Sequence, residues 1–153
     1  MRRRMGVLLG AVGMVAALAV PALGLVGGET NATSMVATLT GGGEVPAVAT
    51  RMAGIARVTI DVDKRLICYD LSVTGKRTPV AVHIHEGAAD ANGPIVIDFG
   101  AFGQKIARNS KGCTRQFKKS VLNPIAANPT GYYVNVHTAA NPGGEVRGQL
   151  AND

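Results

Sequence analysis

The sequence predicts an all-β domain, an antiparallel sandwich or barrel that follows an N-terminal export segment. Three observations carry this reading. Several short segments alternate apolar and polar residues with a period of two, the mark of half-buried strands. Glycine and proline punctuate them, 20 and 7 in a chain of 153 residues, as turns between short strands require. The chain also opens with arginines and a long apolar run rather than with a patterned element. Its length suits one domain and excludes a multidomain assembly.

Arg2, Arg3 and Arg4 precede an uncharged, largely apolar stretch from Met5 to Val26, with Ala22 and Gly24 near its end. This is the pattern of a signal peptide over residues 1–26. A run of about 20 apolar residues equally suffices for an uncleaved anchor. Either outcome holds the cationic start on the cytoplasmic side and puts the remainder outside, secreted or in the cell envelope. A membrane is a partner only if the segment is retained. Residues 27–34 read as a linker and 35–150 as the domain.

The first strand is expected over Met35–Thr40, ended by Gly41-Gly42-Gly43. Residues 55–63 alternate, with Ala56, Val58, Ile60 and Val62 on one face, and Asp63-Lys64-Arg65 is a plausible hairpin turn. Leu66–Val73 returns with Ile67, Tyr69, Leu71 and Val73 inward, leaving Cys68 outward beside Asp70. Val80–His85 turns Val82 and Ile84 one way and Ala81, His83 and His85 the other. Ile95–Phe99 follows a polar loop. Ser120–Ala127 is the one helix candidate, with Ser120 as cap and Pro129 as stop. Tyr132–Thr138 sets Val134 and Val136 against Tyr133, Asn135 and His137. Pro142-Gly143-Gly144 then turns the chain into a last strand, Glu145–Leu150.

Charge is informative once located. The formal net charge is +6, from 16 basic and 10 acidic residues. Without the three leading arginines the balance is 13 against 10, an ordinary figure. The remaining excess gathers at Lys105, Arg108, Lys111, Arg115, Lys118 and Lys119, a stretch read as a solvated basic loop. With Phe117 its only aromatic and no recognisable motif, nucleic acid is not an expected partner. Export also favours a structural disulfide between Cys68 and Cys113, the only cysteines. A covering loop carrying Cys113 is expected to reach Cys68.

The three histidines are the chemical signal. His83 and His85, one residue apart on a strand, emerge on the same face about 7 Å apart at their bases. His137 lies on the polar face of another strand and can close a three-nitrogen set. Imidazole suits copper and zinc, and three protein ligands leave a position open. Glu86 and Asn135 are candidates to orient the rings. The other reading is that these histidines only hydrogen-bond within the strands.

Three blocks carry a family resemblance. They are Leu39-Thr40-Gly41-Gly42-Gly43-Glu44-Val45-Pro46-Ala47-Val48, then Ala81-Val82-His83-Ile84-His85-Glu86-Gly87 with Asn92-Gly93-Pro94, and the tail. The tail runs Tyr132-Tyr133-Val134-Asn135-Val136-His137-Thr138, then Asn141-Pro142-Gly143-Gly144-Glu145-Val146-Arg147-Gly148-Gln149-Leu150. Together they resemble the CHRD (chordin) domain over roughly residues 35–150. The resemblance implies an extracellular module with an immunoglobulin-like, Greek-key β-barrel distantly similar to copper/zinc superoxide dismutases. On that similarity His83, His85 and His137 look like copper ligands, while the bridging and zinc histidines have no counterpart.

The function expected is a secreted or envelope binding module, holding a copper or zinc ion through its three histidines or contacting an extracellular protein or matrix component. The alternatives are a purely structural or adhesive sandwich without metal, and a superoxide-dismutase-like metalloenzyme. No G-x-S-x-G elbow occurs, and no residues are assigned as catalytic; a binding role is favoured over an enzymatic one.

Overall fold

A computed structural model describes residues 31–103 and 105–153. The predicted signal segment and the start of the linker lie outside the described residues. The chain forms β1 (Ala32–Thr40), β2 (Ala53–Asp61), β3 (Leu66–Val73), β4 (Pro79–Glu86), β5 (Ile95–Asp98), β6 (Asn109–Thr114), α1 (Lys119–Ala127), β7 (Tyr132–Thr138), β8 (Val146–Gln149) and β9 (Ala151–Asn152). The strands join in the order β5-β4-β7-β8-β1-β2-β3-β6, with β9 on β1. Every pairing is antiparallel, and the sheet curls into a half-barrel. The all-β antiparallel expectation holds.

Alternation builds the concave core. Ala56, Val58 and Ile60 of β2 face Ile67, Tyr69 and Leu71 of β3, and Val82, Ile84, Val134 and Val136 join them, all almost completely buried. Tyr69 stacks on Phe99 at 4.4 Å between ring centroids, and α1 closes the layer with Leu122 and Ile125. Burying each of those two side chains contributes about 1.5–3 kcal/mol, which is what holds a nine-residue helix containing Pro124 in place.

Several boundaries differ from the sequence-based expectation, each for a local reason. β1 begins at Ala32, because Ala32–Ser34 pair with Thr59–Asp61. β2 ends at Asp61, two residues early. There the Asp61 carboxylate accepts hydrogen bonds from the Lys64 backbone N–H at 2.9 Å and from its ammonium at 2.7 Å, closing a turn that lifts the chain off the ladder. The helix starts at Lys119, and Ser120 lies within it instead of capping it. The final strand is interrupted where the Leu150 N–H turns to the Tyr132 carbonyl, separating β8 from β9.

The larger correction concerns the basic stretch. Residues 109–114 form an edge strand, not a loop, and Cys113 lies directly opposite Cys68 in the β3–β6 register. The predicted disulfide is present, but it joins two paired strands. β6 lacked an apolar alternation because only Thr114 among its six residues is buried.

β7 also departs from expectation: all seven of its residues are buried. Its second face is covered by the 41–48, 87–94 and 139–145 segments. These enclose a small polar layer of Glu44, Asn135, His85, His137, Thr138, Glu145 and Arg147. This layer contains two of the three histidines.

Candidate metal centre

The β4–β7 register assembles the histidines. His83 is paired with Asn135 and His85 with Tyr133, while His137 is opposite Ala81. His137 therefore sits diagonally across from His83, within reach of a long side chain. His83 Nδ1 lies 3.0 Å from His137 Nε2. One nitrogen from each ring falls within 4.8 Å of the others. Three atoms so placed share a point no more than about 2.8 Å from each, an ångström or less of movement from the metal–nitrogen distance of about 2.0–2.1 Å. The structure thus brings together all three histidines singled out in the sequence.

Backbone oxygens fix the proton positions. His85 Nδ1 faces the Gly93 carbonyl at 2.9 Å and His137 Nδ1 the Pro142 carbonyl at 3.0 Å. A carbonyl only accepts, so both Nδ1 atoms carry the hydrogen and both Nε2 atoms present lone pairs. His85 Nε2 is buried without a hydrogen-bond partner among the described residues. On His83 the far nitrogen, Nε2, lies 3.7 Å from Asp98 Oδ1. With the ring neutral, Nδ1 donates to His137 Nε2; moving that proton to Nε2 turns it toward the carboxylate and frees Nδ1 as a ligand.

The rings are held neutral. Burial lowers the His83 pKa to about 4, helped by neighbouring His137 and His85 and opposed by Asp98. Burial also lowers His85 and His137, against the pull of their carbonyl partners. Neutral imidazole is the form that binds metal.

A wider frame positions these groups. The Tyr133 ring stacks on His85, centroids 4.9 Å apart and nearly parallel, and its hydroxyl accepts from the Gly93 N–H at 3.1 Å. Arg147 lies over Tyr133 at 4.2 Å and donates to the Ala91 carbonyl and Asn92 Oδ1, pinning the loop that bears Gly93. Gly93 tolerates no Cβ, because the Glu86 carbonyl occupies that space.

Of the two residues proposed to orient the rings, neither hydrogen-bonds an imidazole among the described residues. Glu86 is exposed at the end of β4. Asn135 donates to Glu44 Oε2 at 3.4 Å, and its Oδ1 is buried without a partner. The groups that meet the rings are the Gly93 and Pro142 carbonyls and Asp98, which sequence reasoning missed. Asp98, paired with His83 across β4–β5, was findable from that hairpin; backbone carbonyls carry no residue-type signal.

The profile of the CHRD domain matches residues 35–150. The chain belongs to the CHRD domain family. No curated protein and no solved structure matches it. The matched span of this CHRD domain contains β2 through β8, the disulfide and all three histidines.

Proposed function

We propose that this CHRD domain is a secreted or envelope binding module that holds one copper or zinc ion at His83 Nδ1, His85 Nε2 and His137 Nε2. The observation that carries the reading is the convergence of three neutral imidazoles on one point, with an unpartnered His85 Nε2 in a buried position. A buried polar nitrogen left without a partner costs about 1–3 kcal/mol, and a cation in that position removes the cost. Copper and zinc both fit an all-imidazole set. When bound, the ion supplies a Lewis-acidic centre with a position left for a ligand.

The chain's own residues prepare the site. Gly93 and Pro142 hold two rings in the ligating tautomer, the Asp98 carboxylate lies 3.7 Å from His83 Nε2 on the side away from the site, and Tyr133 and Arg147 keep the 87–94 loop over His85. Support for an extracellular setting comes from the Cys68–Cys113 disulfide, a bond that persists in oxidising compartments, and from the arginine-led apolar leader.

Metal analysis and calorimetric titration with Cu(II) and Zn(II), on the full-length protein and on His83→Ala/His85→Ala, test this reading. One equivalent should bind to the parent, with affinity falling at least ~100-fold in the variant, more than the 10–100-fold typical of losing one outer-shell partner. Retention of parental affinity by a folded variant refutes the site and leaves the histidines a structural role.

A further inference from the structure

One end of the half-barrel is built from the 46–52, 74–78 and 105–108 segments. They meet there because the Val73 N–H donates to the Arg108 carbonyl and the Thr74 N–H to the Ala53 carbonyl, both at 2.8 Å. These segments contain Arg51, Lys76, Arg77, Lys105 and Arg108, and not one Asp or Glu. The neighbouring 139–145 turn adds one acid, Glu145, whose side chain is fully buried against Arg77.

The cations surround two concavities. One, of about 360 Å³, is lined by Thr50, Arg51, Met52, Gly75, Lys76 and Arg77. The other, of about 290 Å³, is lined by Thr78, Ala107, Arg108 and Asn109. They adjoin in sequence at Arg77–Thr78. Arg51, Lys76 and Arg108 are exposed and form no ion pair among the described residues. Arg77 is anchored through one nitrogen, Nη1, 2.8 and 2.9 Å from the two Glu145 oxygens; its other donors make no hydrogen bond among the described residues, so a half-exposed guanidinium edge remains in fixed orientation.

The opposite end differs. There Lys64 and Lys119 are neutralised by Asp61 and Asp63 at 2.7 and 2.8 Å. On the strands, Asp70 sits between Arg57 and Lys111 in the register. At that opposite end Arg65, Arg115 and Lys118 are also exposed without an ion pair among the described residues. What sets the first end apart is therefore not its cation excess but the absence of acid from the segments that carry it.

We infer that this end is a binding site for a flexible, single-chain polyanion carrying sulfate or phosphate groups, as distinct from a nucleic-acid duplex, with Arg51, Lys76, Arg77 and Arg108 as its contacts. Guanidinium groups match the tetrahedral oxyanion by paired N–H donors. Two hollows whose linings run on from Arg77 to Thr78 suit successive groups along a chain better than a flat bilayer. The site is distinct from the histidine centre and does not depend on it.

Binding of the full-length protein, in non-ionic detergent, to immobilised dextran sulfate, polyphosphate, polyglutamate and a DNA duplex tests the inference. Dextran sulfate, polyphosphate or both should bind, with affinity falling by on the order of 10–100-fold between about 50 and 200 mM salt. Whichever of the two binds more tightly identifies sulfate or phosphate as the preferred group. Arg51→Glu/Lys76→Glu should weaken that binding at least about tenfold. Arg115→Glu/Lys118→Glu, the same charge change at the other end, should cost less than about threefold. Equal losses in the two variants reduce the effect to net charge and overturn the site. So does absence of binding, or polyglutamate or DNA binding as tightly as the oxyanion polymers. Unchanged melting temperatures in both variants confirm that the fold is intact.

Discussion

Two glutamates are buried against the polar face of β7, and their surroundings push them in opposite directions. Glu145 accepts from Arg77 Nη1, from Thr138 Oγ1 at 2.8 Å, from Asn141 Nδ2 at 2.6 Å and from the Thr50 hydroxyl. Burial alone would raise its pKa; these donors overcome it and hold the carboxyl at about 2. Glu44 receives one long hydrogen bond, from Asn135, and its Oε1 has no partner among the described residues. Burial dominates there, and despite the nearby Arg147 charge its pKa rises to about 7. The same side chain is thus a fixed anion in one place and a group poised near neutrality in the other. The number of donors decides which, since each hydrogen bond to the charged form offsets part of its desolvation.

Removing the better-satisfied carboxylate should do the greater damage. Glu145→Ala leaves the Arg77, Thr138 and Asn141 donors without their acceptor at the turn that supplies the Pro142 carbonyl to His137. The expected loss is about 3–4 kcal/mol in denaturant unfolding, whereas Glu44→Ala should cost less than half of that. Equal losses would show that the contrast in donors has no energetic weight.

The acid limb of stability sharpens the contrast. Glu145 has its pKa depressed in the folded state, so its contribution is complete above the unfolded value near 4.5. It is lost as pH falls through about 2. Because its Arg77 partner is half exposed, the solvent-screened contribution is roughly 2 kcal/mol. Unfolding followed from pH 5 to pH 2 should show this decline in the parent and a smaller one in Glu145→Gln. Identical slopes would place the acid sensitivity elsewhere.

How much of this was legible in the sequence depends on which face of a strand is considered. The apolar face was readable residue by residue: Ala56, Val58, Ile60, Val82, Ile84, Val134 and Val136 are buried as their period of two requires. The opposite face was not. Alternation marks Tyr133, Asn135 and His137 as outward, yet loops distant in sequence cover them. Arg147, a cation inside a short strand, was the one local hint that something lay above the sheet. The histidine triad emerged because the chain has only three histidines and two share a strand face. Its supporting groups did not, because the Gly93 and Pro142 oxygens belong to the backbone. β6 was invisible for a related reason: an edge strand held by pairing and a disulfide needs no apolar pattern.

The smallest expected effect is the most specific to Glu44. Its folded-state pKa is raised, so between about pH 4.5 and 7 the folded chain holds a proton that the unfolded chain has released. Stability should therefore decline as pH rises through that window, opposite in sign to Glu145. With its carboxylate at the wall of a cleft of about 290 Å³, the change is roughly 1–2 kcal/mol. Glu44→Gln keeps the shape and removes the titration, which matters because the carboxyl packs under Gly144, where a Cβ would meet both oxygens. The variant should match the parent near pH 5 and exceed it near pH 8 in denaturant midpoint. A parent whose stability is flat from pH 5 to pH 8, or a variant that follows the parent's decline, would mean that the carboxyl finds enough donors in solution to behave like its neighbour.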